Sequence, residues 1–376
     1  MKRFVKSTWI FYPLILAALM YFLLPFFPTF TEYAISRGLF KIVTVPVGFV
    51  TSLLPFSITE LLVILALPLV IFLIVLLVLK MRKSTSKKKT AVKAGRFLCG
   101  FLSFALLMYM ICHGANFYRY STAQLMGLDT SQKTPEQLLA VCMYLGEKAA
   151  ELREELPTDE NGVTVVLPED IYTELERASN GYEPLVEAYP WLWTSVSRQK
   201  PVQLSYYWSY TGIVGMYFPF FAECNVNIEQ PDYSIPFTAA HESAHSRGIA
   251  FEDECNFYAF LSCINSEYPE YRYSGYMDAF MRCSNALYDY DIEMWAEAQS
   301  VVTEGMKADF YASNKYIYKF STQVIEGPGD IEVNLWDVAG DFNNTFLEVQ
   351  GIEDGSLSYD RVTELILAYY YTDLTE

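Results

Sequence analysis

The sequence predicts an α+β chain in which three N-terminal transmembrane helices precede a mainly helical domain with a small β-sheet. Three observations predict it. The first third is nearly free of acids while the rest is strongly acidic, and three uncharged stretches of about 20 residues fall in that first third. Beyond them, helical periodicities alternate with short runs of aromatic and β-branched residues.

The charge division is steep. Residues 1–114 hold 13 Lys and Arg against Glu32 and Glu60, and residues 115–376 hold 14 against 42 Asp and Glu, so the net charge of −17 divides into +11 and −28. A domain that acidic repels phosphate backbones, and nucleic acid is not expected as a partner.

Spans are expected at about residues 8–27, 60–79 and 97–116, which makes the lipid bilayer a partner. Residues 42–59 are also uncharged, but Pro46, Gly48 and Pro55 interrupt them, and the segment is expected to re-enter or lie at the interface without crossing. The loop at 80–96 carries Lys80, Arg82, Lys83, Lys87, Lys88, Lys89, Lys93 and Arg96 with no acid, which places it in the cytoplasm. Lys2, Arg3 and Lys6 put the N-terminus on the same side, and this requires two spans between them. The third span then leads outward. Residues 1–118 are therefore expected to form a multi-pass anchor in the cell membrane, and residues 119–376 one extracytoplasmic domain. The first span lacks a small-residue cleavage site and is read as retained.

Within the outer domain, Thr134-Pro135-Glu136 opens a helix to about residue 156, residues 163–167 read as a strand, and Pro168 opens a helix to about 188. Residues 202–227 suggest two strands and a turn, punctuated by Gly212 and Gly215. Pro236 opens a helix that Gly248 closes. Helices are expected at 252–265, 275–290 and 291–320, then a turn at Gly327-Pro328-Gly329 and a last helix over 359–372. Seven cysteines without C-x-x-C spacing argue against a thiolate zinc site. His113, at the end of the third span, reads as an interfacial residue.

The chemistry sits in His241-Glu242-Ser243-Ala244-His245, an H-E-x-x-H motif inside the helix from Pro236 to Gly248. Residues four apart share a helix face, so His241 and His245 can converge on one Zn²⁺ while Glu242 reaches its water as general base. A catalytic zinc takes a third protein ligand and keeps one open position. Glu252 and Asn256 share a face of the next helix and Glu254 points elsewhere, so Glu252 is the favoured third ligand, with Asn256 supporting it from behind and Glu254 as the fallback.

The segments Tyr210-Thr211-Gly212-Ile213, Phe218-Pro219-Phe220, Glu223-Cys224-Asn225-Val226-Asn227, Pro236-Phe237, the H-E-x-x-H motif and Glu252-Asp253-Glu254-Cys255-Asn256-Phe257 resemble an uncharacterised family of bacterial membrane proteins, domain of unknown function 3810. The three spans and Ser358-Tyr359-Asp360-Arg361 extend the resemblance over most of the chain. It implies a zincin-like fold and a gluzincin metallopeptidase, whose E-x-x-A-N pattern is similar to Glu252–Asn256. Where such patterns carry alanine, this chain has Cys224 and Cys255, which suggests a disulfide between them. The resemblance also implies that Asn225, Val226 and Asn227 form an edge strand that takes an extended substrate. Tyr359 and Arg361 are candidates for stabilising the oxyanion.

The expected function is hydrolysis of peptide bonds in a peptide or protein substrate. The alternative is a zinc-binding membrane sensor or adaptor without peptidase activity. An intact Glu242 favours the enzyme, and the 80–96 loop is small for a signalling output. Nothing in the sequence sets an oligomeric state.

Overall fold

The computed structural model describes residues 8–131, 133–165, 170–327, 331–349 and 359–372. The N-terminal region contains α1 (Tyr12–Leu23), α2 (Phe40–Ser52), α3 (Ile58–Lys83) and α4 (Lys87–Cys112). Four stretches are long and apolar enough to cross a membrane by length and composition: Trp9–Phe26, Pro28–Ser52, Ile58–Lys83 and Lys87–Cys112. That is one more than the sequence reading expected. Pro46 does not break the additional helix, and Gly48 lets it approach Ser197 so closely that an added Cβ would lie 3.0 Å from the hydroxyl.

The Pro28–Ser52 stretch differs from its neighbours in what it touches. At one end Glu32 pairs with Arg119 at 2.8 Å, and Arg119 also donates to the Gly248 carbonyl at 2.9 Å. At the other end Thr51 donates to the Phe221 carbonyl, and Lys200 donates to Thr51. A third of its most apolar window is buried against protein, whereas none of the Ile58–Lys83 window is.

The globular part contains α5 (Pro135–Arg153), then β1 (Gln199–Val202), β2 (Gly215–Phe218), β3 (Glu223–Asn227), α6 (Ile235–Ser246), α7 (Glu252–Ile264), α8 (Pro269–Tyr290) and α9 (Glu304–Ser321). The hairpin β4 (Ile325–Gly327) and β5 (Ile331–Val333) follows, then α10 (Leu335–Val349) and α11 (Tyr359–Thr372). Thr134 and Gln137 form a capping box at the start of α5, as Thr-Pro-Glu-Gln suggests. The helix expected from Pro168 to 188 is split into Ile171–Glu176 and Tyr182–Ala188. Between them Gly181 presses on the Ser262 carbonyl, where a Cβ would come within 1.8 Å. The charged stretch 291–320 is likewise two helices, because Thr303 caps α9 and extended backbone precedes it. The strand expected at 163–167 is reduced to one bridge, Thr158 to Thr164, with residues 166–169 outside the described residues. The turn at Gly327-Pro328-Gly329 lies partly outside them as well.

The sheet order is β1-β3-β2, with β1 parallel and β2 antiparallel to β3. This corrects the placement of Asn225, Val226 and Asn227: β3 is the central strand and has no free edge for a substrate. Its asparagines are buried and engaged. Asn227 donates to the Ile213 carbonyl and the Ser209 hydroxyl, and Asn225 accepts from Ser57. Glu223, also on β3, accepts from the Ile58 and Thr59 amides at the start of α3 and pairs with buried Lys200 at 2.6 Å. The first turn of α3 is thus capped by the sheet.

α6 runs through the centre, with β2 and β3 on one side and α7 and α8 on the other. Ala239, Ala240 and Ala244 keep it slim, and Phe257, Phe260, Phe280 and Leu145 fill the core around it.

Removing Arg119 leaves buried Glu32 with only the partly exposed Arg37, 2.6 Å away, to neutralise it, a loss of part of the ~3–5 kcal/mol that unpairing a buried charge outright costs. Arg119→Ala is expected to lower the thermal unfolding midpoint of the detergent-solubilised chain well below that of Lys148→Ala, whose ion pair is exposed.

Candidate metal centre

The H-E-x-x-H segment lies in the middle and last turn of α6. The helix ends at Arg247, and Gly248 takes φ +83°, a left-handed conformation that glycine adopts without a Cβ penalty. The chain then reverses and α7 starts at Glu252. This short connection brings Glu252 back over α6. Its Oε2 lies 3.1 Å from His241 Nε2 and its Oε1 3.5 Å from His245 Nε2, while 43% of its side chain stays exposed.

The other ring nitrogens are held by acceptors. His241 Nδ1 is 2.8 Å from Asn256 Oδ1, and His245 Nδ1 is 3.0 Å from the Ile249 carbonyl. Protons on both Nδ1 atoms leave both Nε2 lone pairs directed at the same place. Donor atoms about 2.1 Å from a tetrahedral zinc lie about 3.4 Å apart, so the 3.1 and 3.5 Å separations suit such an ion.

Glu242 is buried, and among the described residues its Oε2 has no hydrogen-bond partner. Burial pushes its carboxyl up to about 6, against the lowering influence of His241 and His245. Desolvation pushes Glu252 the other way from its charge partners, but His245 and the hydrogen bonds from both imidazoles hold it well below the usual carboxylate range. The cause on β2 is equally local. Tyr217 gives Glu242 a backbone hydrogen bond and stacks its ring on His245, and Gly215 leaves room for the carboxylate, since a Cβ there would sit 2.3 Å from Glu242 Oε1.

A second grouping is His241, His245 and Cys255, whose ligand atoms lie within 4.8 Å of one another. The Cys255 sulfur, however, is 3.2 Å from His245 Nδ1 and near the Ile249 carbonyl, behind the ring and away from the nitrogens that face Glu252. Burial pushes its thiol up to about 12, which disfavours the thiolate a metal would take.

The structure therefore brings together His241, Glu242, His245, Glu252 and Asn256, and sets other expected residues aside. Glu254, the fallback ligand, accepts from the Thr122 amide at 2.7 Å on another face of α7. Cys224 and Cys255 are both free thiols. Cys224 donates to the Glu242 carbonyl from the sheet side of α6 and Cys255 faces His245 from the α7 side, so the helix stands between them and the expected disulfide does not form. Arg361 acts electrostatically on Asp253, and the side chain of Tyr359 lies outside the described residues.

Sequence reasoning missed three contributors. Gly215 passed for turn punctuation, the Ile249 carbonyl has no side-chain signature, and His113 stands 6.0 Å, ring to ring, from His245. The chain has three histidines, and they lie together.

Two substitutions separate these roles. Asn256→Ala removes the acceptor on His241 and is expected to weaken metal binding about 10- to 100-fold, read by competition with a chelator. Gly215→Ala would place a Cβ 2.3 Å from Glu242 Oε1 and 2.8 Å from the Thr238 methyl carbon, so both side chains must shift; metal content is expected to hold, while any peptide hydrolysis falls about 100-fold.

No curated protein and no solved structure matches the chain. One family does, described as a protein of unknown function (DUF3810), over residues 35–367, a range that takes in α2 to α4 as well as the globular part. The chain belongs to that family.

Proposed function

We propose that the chain is a membrane-anchored zinc metallopeptidase of the zincin-like, gluzincin kind, in which His241, His245 and Glu252 hold zinc and Glu242 is the general base. One observation carries this reading: two imidazole Nε2 atoms and one carboxylate converge beside a buried glutamate oxygen that has no partner among the described residues. Zinc in this site supplies Lewis acidity and brings the pKa of its water toward neutrality. Glu242 accepts the proton of the attacking water and passes it to the leaving amine, as the carbonyl carbon gains an oxygen and the C–N bond breaks. β2 is the sheet edge nearest Glu242, and its outer side offers an extended peptide a strand to pair with. The sensor or adaptor alternative gives the unpaired Glu242 oxygen no task.

The same reading places three spans in the cell membrane, with the Lys-rich loop inside and the metal centre outside. Pro28–Ser52 lies along the outer domain in this arrangement. A crossing helix of 25 residues is about 37 Å long and would carry one end away from the domain, yet both ends bond to it.

His241→Ala is expected to abolish stoichiometric zinc in the purified full-length chain, and Glu242→Gln to retain zinc while losing hydrolysis of a casein peptide mixture. Wild-type protein without bound metal refutes the proposal. For topology, Ser131→Cys is expected to react with an impermeant maleimide on intact cells and Thr85→Cys only after lysis.

A further inference from the structure

α4 ends at Cys112, and the residue after it is His113, whose backbone amide still bonds to Tyr109. Its ring is fixed from two sides, tilted on Tyr109 at 5.9 Å and edge to face on Phe117 at 5.4 Å. Phe117 in turn packs edge to face on Phe251, which immediately precedes Glu252, and Phe346 of α10 closes the group against Tyr109 and Phe117. The aromatic cluster therefore joins the end of a membrane helix to the start of the ligand helix. It holds the imidazole beside the metal centre, 6.0 Å from the His245 ring and within electrostatic reach of Glu252.

Two features separate His113 from a packing residue. It is half-buried, and among the described residues its ring makes no hydrogen bond to protein, although His241 and His245 both have partners on Nδ1. A polar ring held this firmly, beside a reactive centre and with its hydrogen-bonding capacity unused, is available to substrate. His241, His245 and Glu252 already supply the three protein ligands of an open zinc site, so a third imidazole as fourth ligand would close it.

We propose that His113 is a catalytic residue, donating an imidazole N–H to the scissile carbonyl oxygen as that oxygen gains charge. The assignment rests on the peptidase reading above. It names a donor where Arg361 acts on Asp253 instead, and it makes the end of a membrane span part of the active site.

The test uses the full-length chain in detergent, loaded with zinc or cobalt(II), as wild type, His113→Ala, His113→Gln and Glu242→Gln. The probe is a peptide phosphonamidate, whose anionic oxygen imitates the charged carbonyl oxygen. His113→Ala is expected to keep metal content, unfolding temperature and the cobalt visible spectrum unchanged, to bind the phosphonamidate at least 10-fold more weakly, and to lose about 100-fold in kcat with little change in KM. His113→Gln keeps an amide donor and is expected to recover part of both losses. A changed cobalt spectrum makes His113 a metal ligand and overturns the proposal. Unchanged phosphonamidate affinity in both variants makes it a packing residue and overturns it equally. A zinc-loaded wild type that hydrolyses no peptide sinks the peptidase reading itself, and a Glu242→Gln protein that remains active removes Glu242 as its base, results distinguishable from either.

Discussion

The reversal at Gly248 is the constraint on which the rest of the centre depends. Five residues separate the end of α6 from the start of α7, and one of them must take a left-handed conformation for Glu252 to return over His241 and His245. Arg119 secures the turn by donating to the Gly248 carbonyl while its charge is neutralised by Glu32, and Phe40 fills the space against Gly248. The turn carbonyl at Ile249 then orients His245. The geometry of one connection thus sets the Glu252 carboxylate, the orientation of His245 and the docking of the Pro28–Ser52 helix together.

Much of this was legible locally. Pro236 and Gly248 bracket a helix of the expected length, the i,i+4 spacing puts both histidines on one face, and Glu252 with Asn256 follows the same rule on α7. Boundaries read from the sequence held for α5, α6, α7 and α11; Thr134 and Pro135 open α5, Pro236 and Gly248 bracket α6, and three acids begin α7. What periodicity cannot carry is the identity of a distant partner. Asn225 and Asn227 alternate with apolar neighbours as an edge strand would, and only the pairing of β1 and β2 on either side makes them central. Cys224 and Cys255 are separated by a helix that no sequence distance reveals. His113 looked like a boundary residue because its neighbours in sequence are lipid-like, while its neighbours in space are Phe117, Phe251 and His245.

Glu254 shows how two similar residues come apart. Two positions beyond Glu252 the helix has turned by about 200°, so the second carboxylate meets the Thr122 amide, and burial pushes it up to about 7. A protonated Glu254 retains one oxygen to accept that hydrogen bond and adds no repulsion to Glu252. The acidic start of α7 is therefore three side chains with three different surroundings, of which one faces the imidazoles.

The capping of α3 by Glu223 bears on how the chain is made. Ribosomes release the N-terminus first, so Ile58 and Thr59 emerge long before their acceptor, which lies 165 and 164 positions later. Until β3 is synthesised, Lys200 likewise waits for the carboxylate that neutralises it. The apolar helices can form as they appear, but the first turn of α3 stays uncapped until the sheet arrives. This end of the fold is accordingly completed from the C-terminal side, and a nascent chain arrested before residue 223 carries an α3 whose Ile58 and Thr59 amides lack their carboxylate.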